Sequence, residues 1–230
     1  MQVAQKKNIR AIIRLLKAKG YQILERPYEL NIVGIRKDNN VPNKFDDTLY
    51  VFWKDDKGNF EGKYYNITTD PGTYFLKNPI NNLGAAILKE GQYKDAYKLG
   101  LHRGDYKALV QSKPVTVYRD YDRNALLDFN NGKEDTGLFG INIHRSSPSG
   151  TSQNVDKWSA GCQVFENPSD FSKFIELAEK QNSLYGNSFT YTLVDERAYI
   201  RMLKRRGVYV LVALGLGTLG YFIYKRYKKK

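Results

Sequence analysis

Cysteine occurs once in this chain of 230 residues, at Cys162. No intrachain disulfide can form, so the fold must rest on its core. Histidine is nearly as scarce, with only His102 and His144; two imidazoles and one thiol are too few for a zinc site, and no metal or cofactor is expected. The N-terminus lacks a clean apolar stretch, because Lys6, Lys7, Arg10, Arg14, Lys17 and Lys19 punctuate it, which argues against Sec-type export. No internal repeat or low-complexity stretch is present. An alternating strand–helix rhythm is missing too, and this disfavours a doubly wound parallel sheet.

Negative charge is in short supply. The chain has 37 Lys and Arg against 24 Asp and Glu, a formal net charge of +13. Such an excess points first to nucleic acid, but its distribution argues otherwise. Residues 201–230 hold nine basic residues and no acidic one, which leaves a formal +4 (13 less 9) on the rest. Basic clusters beside an apolar run suit anionic lipid headgroups, at about 1 kcal/mol per residue near the surface. A bilayer with such headgroups is the expected partner, and nucleic acid is not.

Between those clusters, residues 208–224 form seventeen consecutive positions without a charge. As a helix they span about 25 Å, the lower limit for crossing a hydrocarbon core. Tyr209, Tyr221 and Tyr224 sit near its ends, where amphipathic rings prefer the interface. The expectation is a single-pass protein anchored by its C-terminus, with a basic linker at 196–207 and a basic tail at 225–230. Four cations precede the span and five follow it, so its orientation is left open.

The remainder, with 41% hydrophobic and 27% charged residues in the whole chain, suits one folded domain. Ile9, Ile12, Ile13, Leu15 and Leu16 fall at helical spacing and Gly20 supplies a stop, so residues 1–29 read as an amphipathic helix and lead-in. That helix either docks on the domain or lies on a membrane. Short β-rich runs follow at 30–35, 49–53, 64–68, 85–88, 108–110, 115–118 and 189–194, separated by turns such as Asp56-Lys57-Gly58 and Asp70-Pro71-Gly72. A helix over 169–181 is expected, with Ser169 or Asp170 at its N-cap and Phe171, Phe174, Ile175 and Ala178 on one face. Residues 30–195 therefore predict an α+β domain, mainly β with a few helices.

Chemistry concentrates between residues 140 and 165. Gly140-Ile141-Asn142-Ile143-His144-Arg145 is followed by a polar loop and then by Trp158-Ser159-Ala160-Gly161-Cys162-Gln163-Val164-Phe165. A thiol nucleophile needs a base within reach and donors aimed at the developing oxyanion. Ile141 and Ile143 read as one apolar strand face that places His144 at a strand end. The amides of Gly161 and Cys162 are candidates for the oxyanion hole. A lone buried cysteine would otherwise read as a small hydrophobe.

A His, fourteen intervening residues and then Ser-x-Gly-Cys resembles the signature of the L,D-transpeptidase catalytic domain, the YkuD-like family. The resemblance covers His144, Ser159, Gly161 and Cys162, and extends loosely to the helix that follows and to a mainly β domain of mixed sandwich or barrel form. It implies that Cys162 forms a thioester with a peptidoglycan stem peptide and that His144 is its base, with the thiol ionised already near pH 6–7 through the imidazolium. Two positions depart from the pattern: Ala160 stands where the family has a second His, and Val164 where Arg or Asn is common. His102 either replaces the missing imidazole in space or is a surface-loop histidine. Arg145 and Arg119 are candidates for a substrate carboxylate, each with a local ion pair, Arg119 to Asp120, as the plainer reading. Ser159 either supports the histidine or the hole or holds the turn, and Trp158 either lines the groove or fills core volume. The implied function is cysteine acyl transfer or hydrolysis on peptidoglycan peptides. This topology is unusual for a bacterial wall-building enzyme of the inner membrane and fits better a phage lysis factor or a component of a lipid-containing virion. The rival is a noncatalytic membrane structural protein that keeps the fold.

Overall fold

The computed structural model describes residues 2–39, 41–129, 132–197 and 199–200. Helix α1 (Gln2–Ala18) leads into strands β1 (Asn31–Arg36), β2 (Asp47–Lys54) and β3 (Phe60–Thr68), then the short helix α2 (Thr73–Lys77). Strands β4 (Ala85–Leu88), β5 (Gly91–His102), β6 (Tyr106–Gln111), β7 (Val115–Asp120), β8 (Glu134–Gly137), β9 (Ile143–Arg145) and β10 (Gln163–Phe165) follow. Helix α3 (Pro168–Tyr185) and strand β11 (Phe189–Asp195) complete the order. The chain is mainly β with few helices.

Eight strands close into a barrel in the order β1-β11-β5-β6-β9-β10-β3-β2, and β4-β7-β8 form a separate sheet. Most pairings are antiparallel, as hairpin connections favour, but β1 with β11 and β9 with β10 run parallel. β1 is buried along its whole length because both of its faces are covered. Ile32 points into the barrel core, while Val33 and Ile35 meet Ile9, Ile12, Leu15 and Leu16 of α1 on the outside, together with Phe52 and Val194. The apolar stripe of α1 is thus spent on the barrel wall, each buried side chain contributing about 1.5–3 kcal/mol gross. Of the two readings of this helix, docking is the one the packing shows.

Helix α3 covers the barrel with Phe171, Phe174, Ile175 and Ala178. Phe165 of β10 stacks among them, 5.3 Å from Phe171 and 5.2 Å from Phe174 between ring centroids. The N-cap is Asn167, not Ser169 or Asp170: its side chain accepts from the amides of both, and Pro168, which lacks an N–H, opens the helix.

A polar knot holds the wall that carries β4. The Arg36 guanidinium is buried with Nε donating to Thr69 Oγ1 at 2.9 Å, Nη2 to the Thr69 carbonyl at 3.0 Å and Nη1 to the Leu88 carbonyl at 2.8 Å. Asp70 pairs with it at 2.9 Å. A buried cation is tolerated only when its donors are met in this way. Across the interior, Tyr191 of β11 donates to Gln163 Oε1 at 2.7 Å and fixes the start of β10. Gly34 makes room for that tyrosine, since a Cβ there would lie 2.1 Å from its hydroxyl.

The apolar segment at 208–224, its basic tail and most of the linker before it lie outside the described residues. Among the described residues no helix is long and apolar enough to cross a membrane.

Candidate active site

Strands β9 and β10 lie side by side in parallel, with Val164 in register with His144 and Gln163 with Ile143. Side chains alternate along a strand, so His144 shares a face with Asn142, and Cys162 falls on the face of Val164, beside Asn142 and one step along from His144. The Asn142 amide points at the Cys162 sulfur, 3.4 Å away, and the thiol donates to the Gly140 carbonyl at 3.3 Å. Cys162, His144 and His102 all line one cavity of about 470 Å³, a size typical of ligand sites. His144 sits within the three-residue strand β9 rather than at its end.

The imidazole of His144 has a defined proton. Its Nδ1 lies 2.7 Å from the Arg145 carbonyl, which can only accept, so Nδ1 carries the hydrogen and Nε2 keeps a lone pair. The Tyr106 hydroxyl lies 3.2 Å from both Nδ1 and the same carbonyl; with the shorter bond placing the hydrogen on Nδ1, the hydroxyl donates to the carbonyl. Burial, the neighbouring His102 and nearby arginines push the His144 pKa down to about 3. Burial also pushes the Cys162 thiol up to about 11, against the Asn142 amide and Arg103, which favour the thiolate. This corrects the expected thiolate near neutral pH: the resting pair is a neutral thiol and a neutral base. The reason is desolvation, which penalises both charged forms of a pair held away from water.

His102 is no surface-loop residue. It ends β5, is buried, and its ring stacks on that of His144 with centroids 4.0 Å apart and 21° between planes. Ser159 is fully buried and holds the turn: its hydroxyl donates to the Cys162 carbonyl at 2.9 Å and accepts from the Gly161 amide at 3.1 Å. That bond removes the Gly161 amide from the expected oxyanion hole and leaves the Cys162 amide of the two. Gly161 instead serves close approach, with φ +124° and the Ala86 carbonyl where a Cβ would lie.

The arginines are placed differently from one another. Arg119 lines the main cavity, but its fork holds Asp135 at 2.8 Å and its guanidinium stacks on Phe139. Arg145 packs 4.0 Å over the Tyr106 ring and lines a second cavity of about 260 Å³ with Arg103 and Lys157. Trp158, 41% exposed, borders both cavities and does not fill the core.

Asn142, Tyr106 and Arg103 join the site without having been singled out in the sequence. For Asn142 a signal existed: in Ile141-Asn142-Ile143-His144 the period of two puts the amide and the imidazole together, opposite the two isoleucines. Among the described residues no three His, Cys, Asp or Glu side chains converge as metal ligands. Compared with protein-family models, curated proteins and solved structures, the chain matches none of them.

Proposed function

We propose that this chain is a membrane-anchored cysteine enzyme of L,D-transpeptidase type, acting on the peptide part of peptidoglycan through a thioester at Cys162. The observation that carries the reading is a thiol and an imidazole with a free Nε2 lone pair that line one cavity, carried by the adjoining β9 and β10 segments. The His-to-Cys spacing, the mainly β barrel and helix α3 after the cysteine also agree with the YkuD-like family. In the reaction, Cys162 Sγ attacks a peptide carbonyl as its proton passes to His144 Nε2. The C–N bond then breaks and the leaving amine takes that proton. An amine acceptor gives a cross-link and water gives hydrolysis. The 208–224 segment would hold the domain at a bilayer with anionic headgroups, in a virion or bacterial inner membrane.

One observation favours the noncatalytic reading instead: the resting thiol is protonated and bonded to a carbonyl. Intact-mass measurement of the full chain in detergent micelles, incubated with muropeptides of defined stem peptide, decides between them. The enzyme reading expects an acyl adduct that is absent in Cys162→Ala. A folded wild-type chain that gains no mass and leaves the peptides unchanged rejects it in favour of the structural role.

A further inference from the structure

The site fixes the proton of its second histidine as well. The Gln111 amide donates to Asn142 Oδ1 at 2.9 Å, which orients the carboxamide and turns its Nδ2 toward His102 Nδ1 at 3.1 Å. An amide NH₂ only donates, so His102 Nδ1 must accept, and the single proton of the neutral ring sits on Nε2. Burial, with Arg103 and Arg145 nearby and only Asp105 opposing them, lowers the His102 pKa and keeps the ring neutral at pH 7. Among the described residues no group bonds Nε2, and the side chain lines the Cys162 cavity. The stacked imidazoles therefore carry opposite tautomers. His144 has a lone pair on Nε2, and His102 has an N–H there.

An oxyanion is best held by more than one donor, and the site has spent two of its amides, which leaves that of Cys162 in need of a partner. That of Gly161 goes to Ser159, and that of Asn142 is aimed at the sulfur. We propose that His102 is a further catalytic residue of the acyl transfer read above, its Nε2–H donating to the oxyanion, with Asn142 the positioning residue that keeps the proton there. When Sγ bonds to the carbonyl carbon and its proton moves to His144, the carbonyl oxygen gains the charge. His102 stabilises that charge by a hydrogen bond without giving up its proton. Collapse reforms the carbonyl, expels the amine with the proton from His144, and returns His102 unchanged. The stacking explains why two histidines do not compete for one role: each is held in its tautomer by a different backbone-anchored partner.

The test uses the full chain in detergent micelles, labelled with ¹⁵N. With two histidines the imidazole spectrum is simple, and proton–nitrogen correlation at pH 7 is expected to show Nε2–H for His102 and Nδ1–H for His144. Asn142→Asp keeps an oxygen for the Gln111 amide but offers an acceptor to His102, which should flip that ring to Nδ1–H. Single-turnover acylation of Cys162 by a stem peptide should then fall on the order of 10²-fold, in the rate constant and not in the half-saturating concentration. His102→Gln, which retains an N–H, should recover part of the rate that His102→Ala loses. An Nδ1–H ring at His102 in the wild-type chain overturns the assignment whatever the enzyme does. Acylation undiminished in a flipped Asn142→Asp chain, or equal losses in Gln and Ala, overturns the catalytic role alone. A wild-type chain that forms no acyl-enzyme overturns that role and the proposed function together.

Discussion

The Cys162 thiol gives its hydrogen to the Gly140 carbonyl, 3.3 Å away, so the proposed nucleophile rests with its proton anchored rather than ionised. With burial pushing the thiol up from its ordinary value of 9.0 to about 11, the thiolate at pH 7 should be rarer by roughly two orders of magnitude. Alkylation by iodoacetamide is expected to be slow at pH 7 and to rise steadily through pH 9 and beyond, as the proton is lost. His144→Ala should leave that profile in place, because a neutral imidazole gives the thiolate no charge to lean on. A profile that levels off below pH 8 and collapses in His144→Ala would restore the ion pair.

Gly161→Ala should damage the fold and the site together. The residue holds φ +124° and its missing Cβ would meet the Ala86 carbonyl at 2.3 Å, so both the backbone and β4 must move. Strain of this kind costs about 1–3 kcal/mol before the clash is counted. A fall in melting temperature of roughly 4–8 °C corresponds to about 2 kcal/mol in a domain of this size. Differential scanning calorimetry of the full chain reads it, and an unchanged midpoint would mean that β4 yields freely.

Ending the chain at Arg206 removes the apolar segment. If that segment meets lipid and not the barrel, the truncated protein should move from the detergent phase to the aqueous phase in a cloud-point separation and keep its unfolding midpoint. A lower midpoint would instead make residues 208–224 part of the domain core.

How much of this was legible in the sequence differs by element. Strands β2, β7 and β11 announce themselves through β-branched and aromatic runs between turns, and β4 as a short apolar run. β5 does not, although it is the longest strand. Its sequence Gly-Gln-Tyr-Lys-Asp-Ala-Tyr-Lys-Leu-Gly-Leu-His alternates poorly, because much of it is exposed or half-buried and only Ala96, Tyr97 and His102 are buried. β10 is three residues long and owes its place to pairing with β3 and β9, which no local pattern reports. α2 was hidden in what reads as a turn after Pro71, and five residues carry too little periodicity to show a helix.

Within the site, Cys162 and His144 were legible from their spacing, and His102 only because histidine is so rare. Their protonation was not legible, since it depends on burial and on carbonyls supplied by Gly140 and Arg145. The role of Ser159 was open until its two bonds closed the turn, and the Asp135 partner of Arg119 was not legible because it is sixteen residues away in sequence but adjacent on β8.

Strand β11 lies between β1 and β5, yet among the described residues it is the last strand to be synthesised. Until it arrives, β1 has β2 alone as a neighbour and exposes an open edge beside Ile32 and Ile35. Closure by so non-local a pairing is slow, and an open barrel with apolar edges is aggregation-prone. A nascent chain would therefore complete its barrel only after Asp195 emerges, with the apolar segment close behind it. If that segment enters a membrane as proposed, folding of the domain and delivery of the segment would be nearly simultaneous, and a chaperone that holds one would have to hold both.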